Sequence, residues 1–327
     1  MPYIPPYDIT DRVLYLVSSI SEKLGQITSK HSLEAKPHLR RNNKIKSIHS
    51  SLRIEANSLT LGQVRDVING HTVLGSQKEI REVKNAYAAY EKISQINPYK
   101  LDDLKRLHGV MTEYLVEESG TFRKGEEGVF NGDKCIFMAP PARFVNAQMD
   151  DLFKWMAENR KKVHPLILSA VFHYEFVFIH PFSDGNGRMA RLWHTALLYQ
   201  WKPIFEFIPI ESQIEKFQDG YYKAIADCHI DGKSNKFIEF MLTQIDLVLD
   251  EILNSVSEAQ SEYVKKLLDK MDYDVPYTAN EILNLLKLKS KETLRKNYIN
   301  PALENGLIEM TVPDKPKSKN QRYVKKG

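Results

Sequence analysis

Residues Pro165 to Ile179, PLILSAVFHYEFVFI, form an apolar run interrupted by one acidic residue, Glu175. The run is too long for an ordinary strand and long enough for about four turns of α-helix. A helix that is apolar all round is buried, so other elements have to cover this one. A second segment of helical length and composition, Met189 to Trp201 (MARLWHTALLYQW), follows closely. The stretch between them, from His180 to Arg188, is therefore a loop that ends one helix and opens the next.

That loop is dense in chemistry. Gly185 and Gly187 allow backbone angles that other residues avoid, and they let a ligand approach the main chain. The first N–H groups of the second helix have no partner within it and form an anion site. Arg188 and Arg191, three apart, share a face of its first turn. Cations there oppose the helix dipole unless an anion arrives, which points to phosphate. His180 titrates near neutrality and suits general-base work. Asp184 can supply the single carboxylate that Mg²⁺ accepts alongside phosphate oxygens. The bland alternative is a Gly-Asn-Gly turn between helices with a capping Asp.

His180 to Arg191 resembles the signature of Fic-domain proteins, H-x-F-x-[D/E]-G-N-G-R-x-x-R, and matches all eight fixed positions. The resemblance implies a mainly α fold, a Fic-type helical bundle with a small β-hairpin flap. It also implies transfer of AMP from ATP to a Ser, Thr or Tyr hydroxyl of a target protein, or of the chain itself. On that resemblance His180 is the base and Phe182 packs in the core and holds the loop. Asp184 is the Mg²⁺ ligand. Asn186 and the N–H groups at Gly185 and Gly187 bind the α-phosphate, and Arg188 and Arg191 bind the outer phosphates. Related loops perform phosphoryl or other nucleotidyl transfers, and the same site could direct water to remove AMP.

Upstream, His49 to Asn57 (HSSLRIEAN) resembles the inhibitory helix of self-restrained Fic proteins, [S/T]-x-x-x-E-[G/N]. Ser51 and Glu55, four apart, share a helix face. The resemblance implies that Glu55 pairs with Arg191 and denies it to the γ-phosphate. Ala56 departs from the pattern, and Asn57 follows it. The alternative is a surface Glu on an amphipathic helix.

The one clear β signal is a hairpin at 120–141 around Asn131-Gly132-Asp133, closed by Pro140-Pro141. It is either a flap where an extended target segment adds a strand or a surface decoration. As a flap it would set Cys135, Ile136, Phe137 and Met138 along the nucleotide. Tyr221 and Tyr222 match an aromatic pair that lines the adenine pocket in the family, with core packing as the even alternative. His173, inside the apolar run, reads as a core histidine, and the three tryptophans read as core.

The organisation expected is a helical region at 1–98 holding the inhibitory helix at about 44–57, a catalytic domain at 99–257 and a winged helix-turn-helix at 262–327. Capping boxes at Thr60–Gln63 and Thr278–Glu281 open helices, and Asn305-Gly306 closes one. Net charge is +4, but residues 263–327 hold 14 Lys/Arg against 8 Asp/Glu, leaving −2 for the rest. Lys287, Lys289, Lys291, Arg295, Lys296, Lys315, Lys317 and Lys319 are candidate phosphate contacts of DNA. A nucleic-acid-binding regulator is thus the alternative from another class, and a solvated protein-interaction surface is the bland reading of the patch. No run of 18 apolar residues exists, so no membrane span is expected. Two distant cysteines, Cys135 and Cys228, fit a reducing cytoplasm. A homo-oligomer is left open, with inhibition within a chain or between chains.

Overall fold

The computed structural model describes residues 3–29, 37–131, 134–259, 262–316 and 318–325. The expected hairpin turn at Gly132-Asp133 and the candidate Lys317 lie outside them, as do the side chains of Cys135 and Ile136. The chain divides into two compact units, Met1–Ile20 with Asn43–Val248 and Ser21–Asn42 with Leu249–Gly327. The boundaries between these units fall inside helices.

In the first unit the order is α1 (Asp11–Ser29), α2 (Pro37–Ile54), α3 (Leu61–Ile68), α4 (Gln77–Tyr90) and α5 (Leu101–Met111). A hairpin follows, β1 (Gly128–Asn131) against β2 (Lys134–Met138), antiparallel with a bulge after Val129. Then come α6 (Ala142–Asn159), α7 (Pro165–Ile179), α8 (Asn186–Trp201), α9 (Ile210–Lys216), α10 (Gln218–Asp231) and α11 (Asn235–Ala259). The expected helices are present with shifted ends. The strands begin at Gly128 and not Gly120, because Gly120 to Arg123 is turned inward to other work described below.

Helix α7 is the centre. Its start combines Pro165 in the first turn with a His164 side chain that accepts from Leu166 N–H. Twelve of its residues are buried, Glu175 included, which is why the run carries no polar stripe. Phe172 packs on Phe153, Phe176 and Trp193, so α6 and α8 cover it. Trp193 is fully buried and donates to the Pro98 carbonyl. The helix stops at His180 because Pro181 follows. A residue before proline is pushed out of the α region, and His180 takes left-handed angles, φ 51. The same device ends α8, where Lys202 before Pro203 is extended.

The second unit contains α12 (Glu262–Lys270), β3 (Pro276–Thr278), α13 (Ala279–Leu285) and α14 (Lys291–Leu294). A π-turn at Arg295–Ile299 leads into α15 (Asn300–Glu304), and β4 (Ile308–Met310) and β5 (Arg322–Lys325) close the unit. The two strands expected here are joined by β3, which no alternation announced, in an antiparallel sheet ordered β3-β5-β4. Val264, Leu267, Ile282, Leu294, Ile299 and Tyr323 form its core. No helix among the described residues is long and apolar enough to cross a membrane.

Burial depresses several histidines of the first unit. His108 and His194 are pushed down to about 4, and His173 well below its ordinary value. A depressed imidazole stabilises the fold above pH 6.5 and loses that contribution as pH falls. Glu175, lifted by burial to about 7, acts in the opposite sense, but it is one group against several histidines. The urea midpoint of the protein is therefore expected to fall as pH drops from 6.5 towards 4. A midpoint flat across that window contradicts this account.

Candidate active site

The loop between α7 and α8 is fixed before any ligand is considered. Asn186 does much of this, since its Oδ1 accepts from Phe182 N–H at 3.0 Å and its Nδ2 donates to the Phe182 carbonyl at 2.7 Å. The sequence reading assigned that side chain to the α-phosphate. Here it closes the loop, and what Asn186 offers an anion is its backbone N–H. Gly185, at φ 81, caps α8 without a side chain, so the first-turn N–H groups carry no side-chain cap. A Cβ at Gly185 would press on Thr112 at 3.0 Å.

Two residues that sequence reasoning missed hold the loop from outside. His108 on α5 stacks on Phe182 with centroids 3.6 Å apart. Its Nδ1 accepts from Gly120 N–H at 2.9 Å, which leaves the proton on Nε2, 2.9 Å from the Asp184 carbonyl. Arg123 is buried, and its Nε donates to the His180 carbonyl at 2.7 Å. Its backbone N–H donates to Pro181 and its Nη2 to Pro140. A guanidinium among terminal carbonyls offsets both their lost hydrogen bonds and the dipole of α7. The available signal was Gly120 and Arg123 just ahead of the strands, which read as part of a hairpin.

The functional side chains converge on this frame. Burial pushes the His180 imidazole below its ordinary 6.5, so it is neutral and able to accept a proton near pH 7. Burial works to raise the Asp184 carboxyl, and Arg188 beside it outweighs that and holds it low. Arg188 Nη2 meets Asp184 Oδ1 at 2.8 Å, while its Nη1 lies 3.7 Å from Glu82 on α4. Arg188 Nε is buried without a hydrogen-bond partner.

Arg191 is gripped by the end of α2. Its Nε donates to Ser51 Oγ at 3.0 Å, and its Nη2 donates to the Ser51 carbonyl at 2.9 Å and to Glu55 Oε1 at 2.7 Å. All these contacts lie within one chain. The Arg191 side chain is 1% exposed and that of Glu55 37%. Burial alone would depress the guanidinium, but Glu55 more than offsets it and holds it above its ordinary value. The same Glu55 oxygen lies where a Cβ on Gly187 would be, so the carboxylate sits over the first turn of α8. Gln218 at the start of α10 donates to the Ile54 carbonyl and secures the helix end.

The Ala56 departure now has a cause and a cost. Ala56 N–H bonds Arg53 and Asn57 N–H bonds Leu52, a Schellman ending of α2 with Ala56 at its left-handed position, φ 65. Glycine and asparagine reach those angles most easily, and alanine is strained there by about 1 kcal/mol.

The remaining candidates separate. Tyr221 is buried at 2% and bonds His173 Nε2 through its hydroxyl at 2.9 Å, so it belongs to the core. His173 Nδ1 is left without a partner. Tyr222 is 47% exposed, and partial burial, then the charge of Glu55, raises its hydroxyl above its ordinary value. Phe137 stacks on His229, centroids 4.1 Å apart, and leans on Phe178, so it pins the hairpin to α7 and α10. Met138 is exposed at 58%. Among the described residues no cluster of three His, Cys, Asp or Glu side chains is placed to hold a metal. An ion here would have Asp184 as its protein ligand.

Comparison with known proteins agrees with this architecture. The Fic/DOC family profile matches residues 98–198, and the C-terminal domain of Fic-like (filamentation induced by cAMP) proteins matches 262–324. A Fic family protein from Desulfovibrio desulfuricans is 40% identical, covers 99% of both chains and superposes with a TM-score of 0.74. This chain belongs to the Fic family. Protein adenylyltransferase fic-1 of Caenorhabditis elegans is 24% identical over 287 residues, 78% of this chain and 55% of that protein. Protein adenylyltransferase Fic of Nematostella vectensis is 28% identical over 244 residues, 70% and 54%. The chain thus spans about half the length of the curated relatives it matches.

Ala56→Gly is expected to relieve the strain and stabilise the end of α2 by about 1 kcal/mol. Hydrogen exchange should report slower opening at Glu55 to Asn57. Faster exchange there would contradict the Schellman assignment.

Proposed function

We propose that this chain is a protein adenylyltransferase that moves AMP from ATP to a protein hydroxyl and is restrained by its own Glu55. One observation carries the reading: Glu55 pairs with Arg191 at 2.7 Å and lies against Gly187, over the uncapped start of α8. An outer phosphate of a nucleotide and this carboxylate are both anionic and compete for the same guanidinium and the same turn of N–H groups. With Glu55 in place, nucleotide is held with its phosphates displaced. The names of the relatives, protein adenylyltransferases, support the activity.

The residues fit a polyphosphate. Arg188 Nε is buried and lacks an acceptor, and α8 opens without a cap. Mg²⁺ fits as well, because Asp184 is part-exposed and kept ionised, and one carboxylate plus phosphate oxygens satisfies that ion. When bound, it neutralises charge on the phosphates. The chain's own part is positional and electrostatic. His180 takes the proton of the acceptor hydroxyl as that oxygen attacks the α-phosphorus. The bond to the bridging oxygen of the β-phosphate breaks, and pyrophosphate leaves with the electron pair. Arg191, once free of Glu55, and Arg188 stabilise the departing charge. Tyr222 offers an exposed ring for the base.

The β1–β2 hairpin is the docking edge for a target segment, which adds as a strand and brings its Ser, Thr or Tyr towards His180. A hydroxyl of the chain itself that reached this edge would be modified, so self-AMPylation is an available assay.

Intact mass after incubation with Mg²⁺ and ATP tests this. Glu55→Gly is expected to gain AMP about tenfold or more faster than the unmodified chain. Glu55→Gly with His180→Ala should gain none. Because the His180 imidazole is depressed, the rate should fall only below pH 6.5. A phosphate-sized adduct, or equal rates with and without Glu55, would overturn the reading.

A further inference from the structure

None of the residues assigned above to nucleotidyl transfer lies in the second unit. Its helix-turn-helix is α13, a short turn, and then a continuous helical stretch from Lys291 through the π-turn to Glu304. Leu294, Tyr298, Ile299 and Ala302 face the core of that unit, packed with Val264, Ile282 and Tyr323. The opposite face exposes Lys291, Thr293, Arg295, Lys296 and Asn300, with Glu292 near its start and Glu304 at its end as the exposed acids. The turn ahead of it exposes Lys287 and Lys289. Five cations thus fall within 287–296, and among the described residues none of them is in an ion pair. Lys44, Lys223, Lys233 and Lys236 in the rest of the chain each have a carboxylate.

Lys287 adds an independent sign. Its N–H bonds Asn284 and the Leu288 N–H bonds Leu283, a second Schellman ending, with both leucines against the core. Lys287 holds its left-handed position at φ 52. Glycine is the residue of least strain there. A lysine kept at that cost, side chain exposed, is explained by what its charge meets and not by the fold of the turn.

We propose that this face binds duplex DNA. It offers donors almost alone: Lys and Arg for phosphates and guanine edges, Asn and Thr for other base edges. It has no exposed aromatic or aliphatic anchor, which a protein-binding face would need at its centre. A helix that follows a turn, with its polar side outward, is the element that enters a major groove. Lys315 and Lys319, exposed on the β4–β5 connection, supply further phosphate contacts.

Anisotropy of a labelled duplex of about 20 base pairs, titrated with the full chain at about 50 and 200 mM salt, tests this. Wild type should bind, with affinity falling about tenfold or more across that range. Lys291→Ala with Arg295→Ala and Lys296→Ala should weaken binding about tenfold and lower the salt slope by two to three. Lys265→Ala with Lys270→Ala, an exposed pair on α12, should change affinity less than about twofold. Lys287→Gly separates binding from folding: hydrogen exchange along α13 should slow or hold while DNA affinity falls. No salt-dependent binding by wild type overturns the proposal, as does binding that the triple variant leaves intact or tighter binding of single-stranded RNA. None of these outcomes bears on AMP transfer.

Discussion

A guanidinium that is 1% exposed cannot stand alone, and the site is organised around that fact. Removing a charge from water costs several kcal/mol unless a counter-charge and hydrogen bonds replace the water. Arg191 obtains both from one helix end: the Ser51 hydroxyl, the Ser51 carbonyl and the Glu55 carboxylate. Whatever displaces Glu55 has to be an anion of comparable charge in the same place. A phosphate meets that description, and on the proposed reading restraint and catalysis are two ways of satisfying one buried cation.

The loop between α7 and α8 is held just as tightly, by residues outside it. His108 and Arg123 reach it from opposite sides, one at the Asp184 carbonyl and one at the His180 carbonyl. Gly120 supplies the donor that fixes the His108 tautomer. A loop of two glycines between helices would otherwise be free to move, and on the proposed reading His180 and Asp184 need a constant separation. Left-handed angles at His180 are tolerated because the surrounding hydrogen bonds determine them.

The sequence made much of this legible. The mostly apolar fifteen-residue run from Pro165 announced a buried helix because burial on all sides leaves no polar stripe. Thr60 and Thr278 announced helix starts because a capping box is a local interaction. Ser51 and Glu55 could be set on one face from spacing alone, and both meet Arg191. What local pattern did not show was the use of long-range partners. Asn186 looked like a phosphate ligand because its nearest acceptor, the Phe182 carbonyl, is reached only when the loop folds back. Of the two adjacent tyrosines, about 100° apart on the helix, Tyr221 turned into the core and Tyr222 outward. His173, from a distant helix, selected the first.

Two left-handed positions divide what each level decides. The sequence announced α2 as a helix but ran it to about residue 57, whereas the Schellman ending stops it at Ile54. Only the tertiary structure showed that Ala56 and Lys287 occupy angles suited to glycine, each the closing residue of a Schellman ending. Composition likewise fixed an excess of cations after residue 263. Which of them face solvent without a carboxylate partner was decided by packing, since Leu294, Tyr298 and Ile299 turn inward and leave Lys291, Arg295 and Lys296 outside. Residue types and spacing set the available charges and turns, and burial then decides which charges must be paired within the chain and which are left for a ligand.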